Sequence, residues 1–294
     1  MLKPIKRPVK YSAKKRWPGR AKIMGRYMRT VFRQFEKSGE ISSAHNIGHV
    51  QRVSMYATKY AEFVGAKPAI QQQTRIAGIS HDRIRDKTEQ YSHEETSGKF
   101  MGEKFAKRYG KRPTKRMTEA IVKHGGLPEL NRVGKNIARD AVVFADKFFE
   151  ANGAYIAFRR AMFMGERVDR RKEMQEKHLT PEQAAVDFTV DESIKRIKAF
   201  SDLSKIPKYL HPFVEYQVAW QKRLLEGLQK REPGIVNLAQ TLFKEGLKAK
   251  PKPLDEAIKS YRPITKEDAA FKAETMRYFN GELWEIFKQL VKKP

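Results

Sequence analysis

Apolar residues return at three- and four-residue steps along most of this 294-residue chain, and that spacing constrains the fold more than any other feature. Ile23, Met24, Tyr27, Met28, Val31, Phe32 and Phe35 form one stripe, closed by Ser38-Gly39. Val50, Val53, Ala57, Tyr60, Ala61 and Val64 form the next, with Asn46 placed to cap a helix and Gly65 to end it. Side chains three and four apart share one face of a helix, whereas a half-buried strand buries every second residue. Period-two alternation of Val, Ile and Thr is sparse, so the pattern predicts an all-α fold.

The same reading predicts a helix from Pro68 through Ile70, Ile76 and Ile79 to His81, a charged loop over 83–92, and helices near 93–109 and 114–124. Gly125-Gly126-Leu127-Pro128 breaks the chain. Ile137, Ala138, Ala141, Val142, Ala145, Phe148 and Phe149 then place helical spacing on 136–164. Further helices are predicted at 181–200, 208–230, 234–249 and 265–291, with Lys248 to Pro253 as a linker before a final amphipathic segment.

Charge and composition narrow the function. Lys and Arg number 61 against 34 Asp and Glu, a formal net charge of +27. Such an excess attracts polyanions, although solubility alone also accounts for it. Residues 1–22 carry nine bases, three prolines and no acid, and read as a flexible basic arm. No apolar run approaches the roughly 20 residues of a membrane span, and no apolar stretch of a secretory signal follows the basic start. A cytoplasmic protein is the expectation. Cysteine is absent, so disulfides and thiolate sites are excluded and any metal must be held by nitrogen and oxygen. The expected organisation is an arm over 1–22, a main domain over 23–231 and a helical C-terminal extension over 232–294.

His81-Asp82 closes the apolar stretch Ile76-Ala77-Gly78-Ile79-Ser80 with an imidazole and a carboxylate, both good ligands for a divalent ion. His49, His93, His124 and Asp146 are further candidate ligands on what read as helices. Taken singly, each has a structural reading: His49 as a core histidine, and His81 as a helix-end residue favoured by the helix dipole.

Five segments follow one another in an order that carries a resemblance: His45-Asn46-Ile47-Gly48-His49-Val50-Gln51-Arg52-Val53, Ala77-Gly78-Ile79-Ser80-His81-Asp82, His93-Glu94-Glu95-Thr96-Ser97, Ala120-Ile121-Val122-Lys123-His124 and Phe144-Ala145-Asp146-Lys147. The chain resembles the HD superfamily of metal-dependent phosphohydrolases, in particular small bacterial and archaeal members whose last motif precedes a Gly-rich stretch and an Arg. Here these are Ala151-Asn152-Gly153-Ala154-Tyr155 and Arg159. The likeness covers about 40–165 well and 166–231 weakly, and leaves the last 60 or so residues unmatched. Phe144 departs from it, since close relatives often carry an acid there.

The resemblance implies an HD-domain helical bundle with His49, His81, Asp82 and Asp146 as core metal ligands. It gives His93 and His124 to a second ion or to the substrate. The mixed nitrogen and oxygen set suits Mn, Fe, Co, Ni or Zn, as one or two ions. The implied reaction is hydrolysis of a phosphoester or phosphoanhydride by a metal-activated water, with a nucleotide as default substrate. Asp82 is central to catalysis, Glu94 is the candidate proton-transfer group, Lys147 is either a phosphate-facing or a solvated lysine, and Arg159 is a candidate substrate contact. His45 is placed in a supporting or core role.

Rival readings are an HD-type nuclease on single-stranded nucleic acid, a dinuclear-iron oxygenase, and a non-catalytic nucleic-acid-binding protein on the same scaffold. Nucleic acid, if a partner, would meet the basic arm. The segment 99–116, with eight bases and one acid, forms either a basic rim beside the site or a solvated helix face. No phosphate-binding Gly-x-x-x-x-Gly-Lys loop occurs.

Overall fold

A computed structural model describes residues 47–82, 93–125 and 136–292. The basic arm 1–22, the helix predicted from about residue 21, His45, the loop over 83–92 and most of the 125–128 break lie outside the described residues. Within them are thirteen α-helices and no strand, so the fold is all-α. We number them in chain order: α1 (Ile47–Phe63), α2 (Pro68–Ser80), α3 (His93–Tyr109), α4 (Lys111–Val122), α5 (Ile137–Phe144), α6 (Tyr155–Glu166), α7 (Val168–Glu176), α8 (Pro181–Ser201), α9 (His211–Gln229), α10 (Pro233–Leu247), α11 (Leu254–Ser260), α12 (Lys266–Phe279) and α13 (Glu282–Leu290). No described helix is long and apolar enough to cross a membrane.

The predicted stripe of α1 is the buried face: Val50, Val53, Ala57, Tyr60 and Ala61 are inaccessible or nearly so. α1 packs against α2 and α5, and α2 also packs on α4 and α5. Pro68 sits in the first turn of α2, where its missing N–H costs nothing. Asn136 caps α5, its side-chain oxygen accepting from the Arg139 N–H at 3.2 Å. α8 opens with a reciprocal capping box between Thr180 and Gln183.

Three stretches differ from the periodicity. The helical spacing over 136–164 is interrupted: α5 runs into a π-helical turn at Ala145–Phe149, and the chain leaves helix until Tyr155. Gly153, at φ 69°, supplies the left-handed residue of that break, and the Gln217 side chain fills the space beside it. The segment 265–291 is two helices, α12 and α13, hinged on Gly281 at φ 81°. α7 was not foreshadowed because it has no apolar stripe; none of its residues is buried.

The C-terminal helices share the core of the N-terminal ones. Phe149 lies between Tyr56 of α1, Phe213 of α9, and Trp284 and Phe287 of α13, with ring centroids 4.3 to 5.9 Å apart. α6 and α10 cross so closely that a Cβ on Gly165 would lie 2.2 Å from the Phe243 carbonyl oxygen, and one on Gly246 2.1 Å from that of Met162. Arg171 ties the crossing by donating to the carbonyls of both glycines at 2.8 Å. Because the obstacles are backbone atoms, Gly165→Ala or Gly246→Ala must part the helices. Each is expected to destabilise by about 1–3 kcal/mol, the usual cost of overpacking. Urea unfolding checks this, and wild-type stability in both variants would show that the crossing is looser.

Candidate metal centre

The polar residues that end or begin helices around α1 meet at one point. His49 lies in the first turn of α1, His81 and Asp82 follow the end of α2, and His93 opens α3. His124 follows the end of α4, and Asp146 stands in the π-helical turn after α5. Such turns are frequent at functional sites. All but His93 are buried, in a protein where a buried polar group needs a partner.

His49 Nε2 lies 3.2 Å from His81 Nε2, 3.3 Å from Asp82 Oδ2 and 3.5 Å from Asp146 Oδ1. His81 Nε2 is 3.5 Å from Asp82 Oδ2 and 3.9 Å from Asp146 Oδ1. The other Asp82 oxygen, Oδ1, faces His93 Nε2 at 3.2 Å and His124 Nε2 at 3.8 Å. Asp82 thus stands between two groups of donors, one oxygen turned to each. Three overlapping triads have ligand atoms close enough to hold an ion: His49, His81 and Asp82; His81, His124 and Asp146; and Asp82, His93 and His124.

Each imidazole is fixed from behind. His81 Nδ1 bonds to the Gly78 carbonyl at 2.7 Å and His124 Nδ1 to the Ile121 carbonyl at 2.5 Å. A carbonyl only accepts, so both Nδ1 atoms carry the proton. His49 Nδ1 faces the Glu150 carboxylate at 3.0 Å, and His93 Nδ1 faces Glu94 Oε2 at 3.2 Å. Metal-ligating histidines ordinarily hold their second nitrogen in this way, leaving the inward one to ligate. Burial pushes the His81 imidazole down to about 3, even against the pull of Asp82, so its Nε2 offers a lone pair at neutral pH. With His49 and His81 presenting Nε2 to each other, a proton or a cation has to separate them.

Burial acts to raise the Asp146 carboxyl, but Lys147, with its Nζ 2.7 Å away, and the surrounding imidazoles hold it well below the usual range. Glu150, fully buried, is likewise held low by Arg52 and His49 despite burial. Four imidazole nitrogens and two carboxylates converging on one point are a donor set that fits a divalent transition ion.

Around the buried donors, the side chains of His93, Glu94 and Lys147 are partly accessible, 29%, 19% and 21% exposed. Glu94 therefore flanks the centre, and Lys147 is engaged with Asp146. Arg159 is placed differently: it is buried, and its Nη1 donates to the Glu150 carbonyl at 2.8 Å, bracing the turn after Asp146. The sequence reading did not single out Glu150, which grips His49 from behind, or the role of Arg52, whose Nε donates to Glu150 Oε1 at 2.7 Å. One signal for Glu150 was present, a carboxylate set directly after Phe148-Phe149, one turn past Asp146.

These charge states make the metal-free protein acid-sensitive. His81 titrates near ~6.5 in an unfolded chain and near 3 in the folded one. Between those values the unfolded chain holds the extra proton, so stability is complete above about pH 6.5 and is lost as pH falls. Asp146 and Glu150, whose carboxyls are held low, add a loss of the same sign below about pH 4. Thermal melts of metal-free protein are expected to fall steadily from about pH 7 towards pH 4. A flat profile over that interval would contradict the buried neutral His81.

No family model matches the chain, and neither a curated protein nor a solved structure matches it.

Proposed function

We propose that the protein is a metal-dependent phosphohydrolase of the HD type, with two divalent ions sharing Asp82. The observation that carries this reading is the split of Asp82, with Oδ2 towards His49 and His81 and Oδ1 towards His93 and His124. Two divalent ions held by these residues would be suited to stabilising an in-line displacement at phosphorus. Bound there, divalent ions would polarise a phosphoryl oxygen and lower the pKa of a water.

The chain's own residues supply the rest. His49, His81, Asp82 and Asp146 would hold one ion, and His93 and His124 with Asp82 the other. Glu94, whose Oε2 lies 3.2 Å from His93 Nδ1, would take or give a proton by way of that imidazole. Lys147, partly exposed and 2.7 Å from Asp146, would supply positive charge to a phosphate reaching the centre. The substrate this best suits is a phosphorylated small molecule, with a nucleotide first.

A second reading, a nuclease on single-stranded nucleic acid, draws on the α3–α4 hairpin. It starts at His93, ends just before His124, and exposes Lys99, Lys104, Lys107, Lys111, Arg112 and Lys115. Phosphate release from nucleotides and cleavage of short single strands, each with added Mn, Co, Ni or Zn, separate the two. Phosphate release that depends on the ion and is insensitive to salt supports the first. Strand cleavage that falls steeply with salt supports the second. Inactivity towards both with metal bound would contradict both readings.

A further inference from the structure

The metal centre is supported from a part of the chain that carries none of its ligands. Asp255 on α11 accepts from Arg52 Nη1 at 2.7 Å. Arg52 Nε donates to Glu150 Oε1 at 2.7 Å, Glu150 Oε2 accepts from His49 Nδ1 at 3.0 Å, and His49 Nε2 faces Asp82 and Asp146. The guanidinium is enclosed. Its Nε also reaches the Tyr278 hydroxyl at 3.1 Å and its Nη2 the Tyr155 hydroxyl at 3.0 Å. The rings of Tyr155, Tyr278 and Phe279 lie 5.2 to 5.6 Å from its central carbon. Two carboxylates, the fully buried Glu150 and the 29% exposed Asp255, therefore share one guanidinium.

We propose that Asp255 is a positioning residue for the metal centre: by taking a share of the Arg52 guanidinium it leaves Glu150 a stronger acceptor for the His49 Nδ1–H, and so sets the affinity of the site for a divalent ion. The proposal rests on the metal-centre reading. A ligating histidine becomes more basic as its second nitrogen donates to a more negative acceptor. Without the Asp255 charge, Arg52 acts on Glu150 alone, the carboxylate is more fully neutralised, and its hold on the His49 Nδ1–H weakens. By linkage, ion binding at His49 and docking of α11 favour each other by one and the same factor.

The test uses the full-length, metal-free protein and Co2+ alone, read by calorimetry and by the visible spectrum of the bound ion. Asp255→Asn is expected to weaken Co2+ binding about tenfold, the lower end of the range for partners of ligating histidines, with the circular dichroism unchanged. Asp255→Glu, which keeps the charge, is expected to recover most of that affinity. Tyr278→Phe removes a neutral contact to the same guanidinium and is expected to change it far less. In the wild type, Co2+ is expected to slow amide exchange in α11, a readout that stands even if Asp255→Asn folds poorly.

Equal Co2+ affinity in wild type and Asp255→Asn, or no effect of Co2+ on α11 exchange, overturns the proposal while leaving the metal centre standing. Absence of Co2+ binding to the wild type would overturn the metal centre itself, and the proposal with it.

Discussion

Asp82→Ala is expected to abolish metal-dependent phosphate release while the helices stay folded. The two carboxylate oxygens of Asp82 face different imidazoles, with Oδ2 3.3 Å from His49 Nε2 and Oδ1 3.2 Å from His93 Nε2. Its removal would take one ligand from each of two ions in the proposed centre. A loss of at least about a thousandfold in kcat/KM is expected, which corresponds to roughly 4 kcal/mol of transition-state stabilisation. The fold should survive, because Asp82 sits among imidazoles past the end of α2 and contributes nothing to the apolar core. Steady-state phosphate release with a saturating ion, beside far-UV circular dichroism, checks both halves. Full activity in Asp82→Ala would end the phosphohydrolase reading.

Glu150→Ala is expected to have the largest effect on stability. The carboxylate is fully buried and serves Arg52 on one side and His49 on the other. Deleting it leaves a guanidinium flanked by three aromatic rings with Asp255, among the described residues, as its remaining anionic partner. Breaking a buried ion pair from one side costs about 3–5 kcal/mol. The remaining pair with Asp255 puts the expected loss at the lower end, about 3 kcal/mol. Glu150→Gln keeps an acceptor for His49 and is expected to cost less. Urea unfolding of the metal-free proteins measures the difference, and a Glu150→Ala variant as stable as wild type would show that Arg52 is solvated.

What could be read from the sequence follows from how far each cause extends along the chain. The helices were legible where a stripe is buried, as in α1, because every contact that fixes the period lies within four residues. α7, with no buried residue, leaves no period to find. The break after Asp146 depends on Gly153 and on Gln217 from α9, which fills the space beside it, so the Phe and Ala spacing alone runs straight through it. The convergence of His49, His81, Asp82, His93, His124 and Asp146 was legible because distinctive residue types recur in order, at or near helix ends. Their support was not. Arg52 meets Glu150 and Asp255 across 98 and 203 residues, a pairing that no local pattern encodes. Arg159, placed by resemblance alone, is taken up by the Glu150 carbonyl.

The most direct test of the two-ion centre is anomalous diffraction from crystals of the protein soaked in Mn2+. The expected result is two anomalous peaks about 3.5–4 Å apart on either side of the Asp82 carboxylate, one within reach of His49, His81 and Asp146, the other of His93 and His124. A single peak would reduce the centre to one ion, and no peak within bonding distance of Asp82 would contradict it altogether.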